Sequence, residues 1–510
     1  MRLAKLLGLA VGDERDDREI TGLTCDSRDV ASGSLFAALD GSRAKGAHYV
    51  GEALRKGAVA IICSKADESE VRDVVVQQGT GAVVVACDNP RREYARAIRG
   101  FYGDPAASLD VIGVTGTNGK TTTTWIIKHL CDSILKRCGL MGTVRYDTGA
   151  GVVVAERTTP DAVRAVEMLS EMRDNGCRAA SMEVSSHAIH QDRVEGIRYA
   201  VGVFTNLTQD HLDYHGDMES YFEAKASWFL DETRYSRPRI AVVNVGDPYG
   251  QRLAGMLRAA GRKVVTFGGS YGSDYYASIP QLRVSGTQFE LSAEKKTFLV
   301  RTPLLGQFNV ENVVAAIAAA RAVGVGIRES LDALQTLPSV PGRMEQTGFQ
   351  GGFRVIVDYA HTPDALRKAL VTLRALQPKR IITVFGCGGN RDAMKRPQMG
   401  AVADEYSDLV AITSDNPRDE DPAEIARQIR AGTREDERVL VELDRRKAIE
   451  LALRNARRGD IVLVAGKGHE TTQEVAGRVS EFSDATVIRV LLADLAASQG
   501  RAKRREGVSR

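Results

Sequence analysis

The run Leu109-Asp110-Val111-Ile112-Gly113-Val114 reads as a buried strand. It passes through Gly116-Thr117-Asn118-Gly119-Lys120-Thr121-Thr122 into a helical pattern that lasts to Leu135. Strand, glycine-rich turn and helix in immediate succession gather backbone N–H groups at a helix N-terminus, where phosphate oxygens are favoured. Lys120 can reach the β/γ-phosphates and the Thr121 hydroxyl can ligate Mg²⁺. The spacing departs from G-x-x-x-x-G-K-[ST]: Val114 occupies the first glycine's position, with Gly113 one place too early. Alone, the loop predicts a nucleoside triphosphate site and no particular reaction.

A chain of 510 residues exceeds a single core, and three blocks emerge. The first, 1–105, mixes short strand-like runs such as Ala58-Val59-Ala60-Ile61-Ile62 and Ala82-Val83-Val84-Val85-Ala86 with turn-rich segments, and closes on Tyr102-Gly103-Asp104-Pro105. The second, 106–338, adds buried-strand runs at 179–183, 199–204, 240–245 and 263–267 to the opening strand. This alternation predicts a mostly parallel sheet, followed over 276–302 by a small antiparallel sheet and a helix near 310–324. The third, 339–497, alternates cleanly, with strands expected at 353–358, 380–385, 408–413, 439–443 and 460–465. Its unusual residues stand just past strand ends: Asp358, the Gly386–Arg391 loop, Asp415-Asn416-Pro417-Arg418 and Gly466-Lys467-Gly468-His469-Glu470. Open α/β sheets bind ligands beyond the carboxyl ends of their strands, so these residues predict a functional rim. Residues 498–510 form a basic end expected to be disordered.

Composition narrows the class. With 69 basic against 66 acidic residues, nothing points to nucleic acid as the main partner. Seven scattered cysteines without a C-x-x-C pair suit reduced thiols in a cytosolic protein. The apolar run from Leu6 to Val11 is too short for a leader and meets Asp13, Glu14, Arg15, Asp16 and Asp17 at once. Val313–Ala320 stops at Arg321, far short of a membrane span. A soluble, cytoplasmic protein is expected.

Two further segments follow strands in the second block. Met182-Glu183-Val184-Ser185-Ser186-His187 ends one, and a carboxylate there could hold a cation facing the phosphate loop. Thr205-Asn206-Leu207-Thr208-Gln209-Asp210-His211-Leu212-Asp213-Tyr214-His215-Gly216 ends another, with Lys225 beyond it. Together with Gly116–Thr122, these segments resemble the Mur ligases, which build the peptide stem of bacterial peptidoglycan. Gly306-Gln307-Phe308-Asn309-Val310-Glu311-Asn312, Pro341-Gly342-Arg343-Met344-Glu345 and Asp358-Tyr359-Ala360-His361-Thr362-Pro363 extend the match across all three blocks. Cys25-Asp26-Ser27-Arg28 and Asp415-Asn416-Pro417-Arg418 are most similar to the members adding the third stem residue, in the version accepting meso-2,6-diaminopimelate.

The resemblance implies an α/β protein of three domains: an N-terminal uridine-binding domain, a central ATPase domain and a C-terminal Rossmann-like domain for the amino acid. It implies an ATP-dependent amide ligase acting on UDP-N-acetylmuramoyl-L-alanyl-D-glutamate through an acyl phosphate, as a monomer. Lys120, Glu183, His211, Lys225 and His361 would be catalytic. Mg²⁺ would be held by Thr121 and Glu183, and a second ion by His211 and a carbamylated Lys225. ATP would meet Gly116, Thr117, Asn118, Gly119, Lys120, Thr121, Thr122, Asn309, Arg343 and Asp358. The UDP-linked substrate would meet Ser27, Thr158, Thr159, Ser185, Gln191 and Arg193. Diaminopimelate would meet Arg391, Asp415, Asn416, Pro417, Arg418, Gly466 and Glu470; the guanidinium forks of Arg391 and Arg418 match its extra carboxylate. The rival readings are the lysine-adding version, a folylpolyglutamate synthetase-like ligase, and a phosphate-loop motor. The last leaves the rim of the third block unexplained.

Overall fold

The computed structural model describes residues 1–7, 18–41, 44–135, 137–232, 236–269, 272–283, 285–350, 352–434 and 437–508, setting aside the side chains of 135, 348–350 and 498–508. The acidic run after Val11, read above as excluding a leader, lies outside the described residues. Two compact units emerge, Met1–Tyr276 with Val313–Ser330, and Ala277–Asn312 with Leu331–Arg510.

The first unit holds two sheets. Strands β1 (Gly22–Thr24), β2 (Ser34–Ala37), β3 (Ala60–Ser64) and β4 (Val83–Cys87) pair in parallel in that order. Fully buried Leu35, Ile61 and Ile62 face helices on both sides of this sheet. The apolar runs expected over 58–62 and 82–86 are these strands, entered one or two residues later.

The larger sheet is built from β5 (Asp110–Thr115), β6 (Cys138–Met141), β7 (Arg145–Asp147), β8 (Val152–Val154), β9 (Ala179–Glu183), β10 (Val201–Phe204), β11 (Ile240–Asn244), β12 (Val264–Phe267) and β13 (Tyr275–Ala277). Its spatial order is β13-β12-β11-β10-β5-β9-β6-β7-β8, parallel except for the β6-β7-β8 meander. Strand β5 therefore runs between β9 and β10, with Val114 opposite Glu183 and Thr115 opposite Phe204. This register decides the site: the loops leaving β9 and β10 flank the phosphate loop on both sides. Gly113 is not a displaced loop glycine. A Cβ on it would stand 2.7 Å from the Trp228 ring, so its smallness serves packing inside the strand.

The second unit contains the expected antiparallel sheet, β14 (Gln281–Arg283), β15 (Gly286–Ala293) and β16 (Lys296–Thr302). Beyond it lie β17 (Glu345–Gln350), β18 (Phe353–Asp358), β19 (Ile381–Phe385), β20 (Leu409–Ile412), β21 (Val439–Val441) and β22 (Ile461–Ala465). They form a six-stranded sheet in the order β17-β18-β22-β19-β20-β21, parallel apart from β17. β22 is inserted between β18 and β19, so five neighbouring strands, β18, β22, β19, β20 and β21, present their carboxyl ends to one rim. A hairpin of β23 (Thr472–Val475) and β24 (Arg478–Glu481) leans on that rim through a bridge between Val475 and Arg418.

The closing helix runs Asp484–Val508. The basic end, expected to be disordered, thus carries helical backbone to 508, in keeping with its Ala, Arg, Lys and Glu content. Among the described residues no helix is long and apolar enough to cross a membrane.

Candidate functional site

Glu183, the last residue of β9, is 1% exposed and forms a hub. Its Oε2 accepts from the Thr121 hydroxyl at 3.2 Å and the Thr143 hydroxyl at 3.0 Å, while Oε1 accepts from the Thr143 N–H at 2.8 Å. A carboxylate and two hydroxyls beside a phosphate loop make the hard oxygen set that Mg²⁺ prefers, so these residues fit the ion the resemblance implies. Thr143, two residues past β6, was not anticipated, because nothing local in the sequence marks it.

The loop itself is pinned from the β10 side. Asn206 Oδ1 accepts from the Asn118 N–H at 2.9 Å, Asn118 Nδ2 donates to Thr208 Oγ1 at 3.2 Å, and the Thr205 hydroxyl donates to Asn118 O at 2.7 Å. Thr117 Oγ1 lies 3.2 Å from Tyr221 OH. Gly116 (φ 146°) and Gly119 (φ 90°) take backbone conformations that side chains disfavour, and Thr122 is buried behind them. Lys120 Nζ curls back to donate to Gly116 O at 2.9 Å and Thr117 O at 2.8 Å. The loop is thereby preorganised with its cation at the centre.

Lys225 comes to the same place from the helix Met218–Leu230. It is 1% exposed, and its Nζ reaches Gly116 O at 3.1 Å and Thr115 Oγ1 at 3.3 Å over the Tyr221 ring. Burial, then the Lys120 charge, holds its amine well below the ordinary lysine range. A solvated helix lysine is therefore excluded. His211 adopts φ 55°, and its ring lies 4.9 Å from that of His187. Burial lowers its pKa against the opposing Asp210 carboxylate. His215 stacks on Tyr221 and meets Ser186 Oγ at 3.0 Å.

Of the residues expected to meet the UDP-linked substrate, Thr158, Thr159 and Ser185 adjoin the hub, whereas Ser27 lies between β1 and β2 of the first sheet. Thr143 Oγ1 lies 3.1 Å from Thr158 Oγ1, and Thr159 Oγ1 meets Glu183 O at 2.9 Å and Ser185 Oγ at 3.2 Å. Arg193 donates to Thr159 O at 3.2 Å and grips Gln191. Ser27 is buried, and its hydroxyl donates to Glu52 Oε2 at 2.7 Å.

In the second unit, Asp358 ends β18 and accepts from Met344 N–H at 2.7 Å and Ala360 N–H at 2.8 Å. Burial raises its pKa, opposed by the Arg343 charge. Arg343 lies over the Tyr359 ring at 4.3 Å, and His361 meets Tyr359 O through Nδ1 at 2.9 Å, so these three residues gather around Tyr359. Asn309 is turned inward: its amide donates to Leu305 O and accepts from Asn312 at the start of the helix Gln307–Ala322.

At the rim, Asn416 Nδ2 donates to Glu470 Oε2 at 2.9 Å, and fully buried Lys467 donates to Asn416 Oδ1 at 3.1 Å and Glu470 Oε2 at 3.0 Å. The sequence motif gives Lys467 no role, yet it is the cation that holds Glu470. Arg418 follows Pro417 at φ 51°, donates to Gly389 O at 2.8 Å and lies 3.5 Å from Glu474. Arg391 is exposed, and among the described residues it bonds the carbonyl of Asn390, at 3.3 Å. Gly466 (φ 109°) passes so close to Asp415 that a Cβ would sit 2.6 Å from Oδ2. His211, Met344, Asn390 and Arg418 are all non-glycine residues at φ 48–55°, and backbone strain of this kind concentrates at functional sites.

A preorganised phosphate loop beside a carboxylate hub, and a charged rim at the strand ends of a second α/β unit, belong to a nucleotide-dependent enzyme handling acidic substrates. Three family models match in succession: "Mur ligase family, catalytic domain" over 19–111, "Mur ligase middle domain" over 114–320 and "Mur ligase, glutamate ligase domain" over 342–468. The chain belongs to the Mur ligase family. A UDP-N-acetylmuramoyl-L-alanyl-D-glutamate--2,6-diaminopimelate ligase of Geobacillus kaustophilus is 43% identical over 475 residues, 92% of this chain and 94% of that one. One of the same name from Thermosynechococcus vestitus is 43% identical over 470 residues, 92% of each chain. A solved structure of a ligase with that name aligns with a TM-score of 0.71 at 34% identity, covering 97% of this chain and 99% of the other.

Proposed function

We propose that the protein joins meso-2,6-diaminopimelate to UDP-N-acetylmuramoyl-L-alanyl-D-glutamate with ATP, releasing ADP and phosphate, in cytoplasmic peptidoglycan precursor synthesis. The observation that carries this reading is the Asp415–Arg418 loop cross-bonded to Glu470 at the strand-end rim, in a chain 43% identical to ligases named for that reaction. The domains are taken as 1–105 for the UDP-linked substrate, 106–338 for ATP and 339–497 for the amino acid, and the monomer as the working unit.

The terminal carboxylate of the UDP-linked dipeptide attacks the γ-phosphorus of ATP; the new O–P bond replaces the β–γ bridge and ADP departs. The amine of diaminopimelate then attacks the acyl carbon, phosphate leaves with the C–O electron pair, and the amine proton passes to solvent. Both partners of the first step are anionic, so charge neutralisation matters more than proton transfer. Lys120 would exchange its two loop carbonyls for phosphate oxygens. Mg²⁺, held by Thr121 and Glu183, would supply further positive charge there. Ser185, Thr158, Thr159, Gln191 and Arg193 would orient the dipeptide end, and Ser27 the uridine end. Arg343, Asp358 and His361 would meet the nucleotide, with Asn309 shaping that part of the site from behind.

Lys225 has the environment of a carbamate-forming lysine. A buried amine with a depressed pKa is neutral and nucleophilic; its nitrogen adds to CO₂, a proton is lost to solvent, and an anion results that would serve a second Mg²⁺ with His211. Native mass measurement in bicarbonate buffer should show one added CO₂ that disappears in a Lys225→Arg variant; an unmodified lysine in active enzyme would overturn this step.

The overall reading is tested by phosphate release. Release should require both the UDP-dipeptide and an amino acid, with kcat/KM for L-lysine about 30-fold or more below that for meso-diaminopimelate, since losing the carboxylate partner of a guanidinium fork costs about 2 kcal/mol or more. Equal efficiency with the two amino acids would favour the lysine-adding version.

A further inference from the structure

Arg445 and Asp484 open the helices Arg445–Asn455 and Asp484–Val508, and neither belongs to any motif of the site. Both side chains are fully buried. Their pairing is bidentate: Arg445 Nε donates to Asp484 Oδ1 at 2.8 Å and Nη2 to Oδ2 at 2.7 Å. A buried ion pair gains little stability, because desolvating two charges offsets their attraction. Its presence in the interior asks for another use. The remaining guanidinium donors supply one: Nη2 reaches Ala465 O at 2.9 Å and Nη1 reaches Ser414 O at 3.3 Å.

Ala465 ends β22 and Ser414 stands two residues past the end of β20, and these two strands lie on either side of β19. The next residues in the chain are Gly466 and Asp415. One guanidinium thus spans the end of β19 and sets the distance between the two loops that carry Asp415, Asn416, Gly466 and Glu470. Across that gap the loops are in close register, with Asn416 bonded to Glu470 and Lys467, and Gly466 against Asp415. The negative charges of Asp415 and Glu470 also favour the Arg445 cation. A planar five-donor fork is needed for this, since an ammonium cannot hold a carboxylate bidentately and two carbonyls in fixed directions at once.

We infer that the Arg445–Asp484 pair is a positioning device for the amino-acid rim, acting on recognition of the incoming amino acid through the strand-end carbonyls of Ser414 and Ala465. The inference rests on the proposed use of that rim for diaminopimelate.

The experiment compares the full-length parent with Arg445→Met/Asp484→Leu, which removes both charges together, and with Arg445→Lys. Each is assayed by phosphate release with UDP-dipeptide, ATP and either meso-diaminopimelate or L-lysine, alongside thermal unfolding. For both variants, KM for diaminopimelate is expected to rise about tenfold or more, because small misplacements of a binding constellation are costly. The preference over lysine should shrink while KM for ATP stays within about twofold, a split that general loosening would not produce. A folded double variant with parental KM and preference overturns the inference. If the double variant does not fold, Arg445→Lys decides alone, and parental values there overturn it equally. A parent indifferent to diaminopimelate instead refutes the use of the rim, a distinct failure.

Discussion

At the residue scale, single side chains are held in one conformation by several bonds each. Glu183 serves three donors, Asn416 meets Glu470, Lys467 and the Glu474 N–H, and Arg418 keeps a left-handed backbone while contacting Gly389 and Glu474. A guanidinium so fixed is suited to a carboxylate that lysine lacks. Arg418→Ala is expected to raise KM for diaminopimelate and to reduce its advantage over lysine about tenfold or more, as read from the ratio of the two kcat/KM values. Motif residues such as Lys120, Glu183 and Asp415 were legible because their spacing relative to strands and glycines is local. Thr143 and Arg445 were not, since a threonine after a strand or an arginine opening a helix has no local mark. The role of Lys467 was equally hidden: nothing in the linear chain pairs it with Asn416, 51 residues away.

At the element scale, strand ends and helix starts carry the site. Helix Ala162–Asp174 begins directly after Thr158-Thr159-Pro160, and Asp161 caps it by accepting from the Arg164 N–H at 3.0 Å. Asp161→Ala should lower stability by about 1 kcal/mol, measured by urea unfolding, and weaken the UDP-dipeptide more than ATP because Thr159 is two residues away. Most strands were legible from apolar runs, with β9 and β18 at the expected residues. Boundaries elsewhere moved by a residue or two: the expected 199–204 strand starts at Val201, although the Tyr199 and Ala200 carbonyls already accept from the Arg239 and Ile240 N–H groups at the start of neighbouring β11. The insertion of β22 between β18 and β19 was not legible, since strand order depends on pairing across more than 70 residues.

At the scale of the whole molecule, buried thiols link the fold to pH. Burial pushes Cys63 and Cys87 up to about 11 and Cys387 up to about 12, from an ordinary value of 9.0 that unfolding restores. Between 9 and 12 the folded chain keeps protons that the unfolded chain has lost. The thiol contribution is therefore fully present below pH 9 and disappears as pH rises through 11 to 12. Urea midpoints measured from pH 8 upward should fall in that window, and less steeply in Cys387→Ala. What the sequence by itself determined was the α/β class, the phosphate loop, the rim segments and their likeness to one ligase family, because each is written in contiguous spacing. Tertiary structure alone decided that Glu183 is shared by Thr121 and Thr143, that Lys225 is buried against Gly116, and that Lys467 and Arg445 stand behind the rim. The reason is physical: burial, pKa and charge pairing depend on neighbours brought together by strand register. The phosphate loop, marked in the sequence by an irregular glycine spacing, owes its shape to Asn206 and Thr205 across the sheet, and Gly113 to the indole of Trp228.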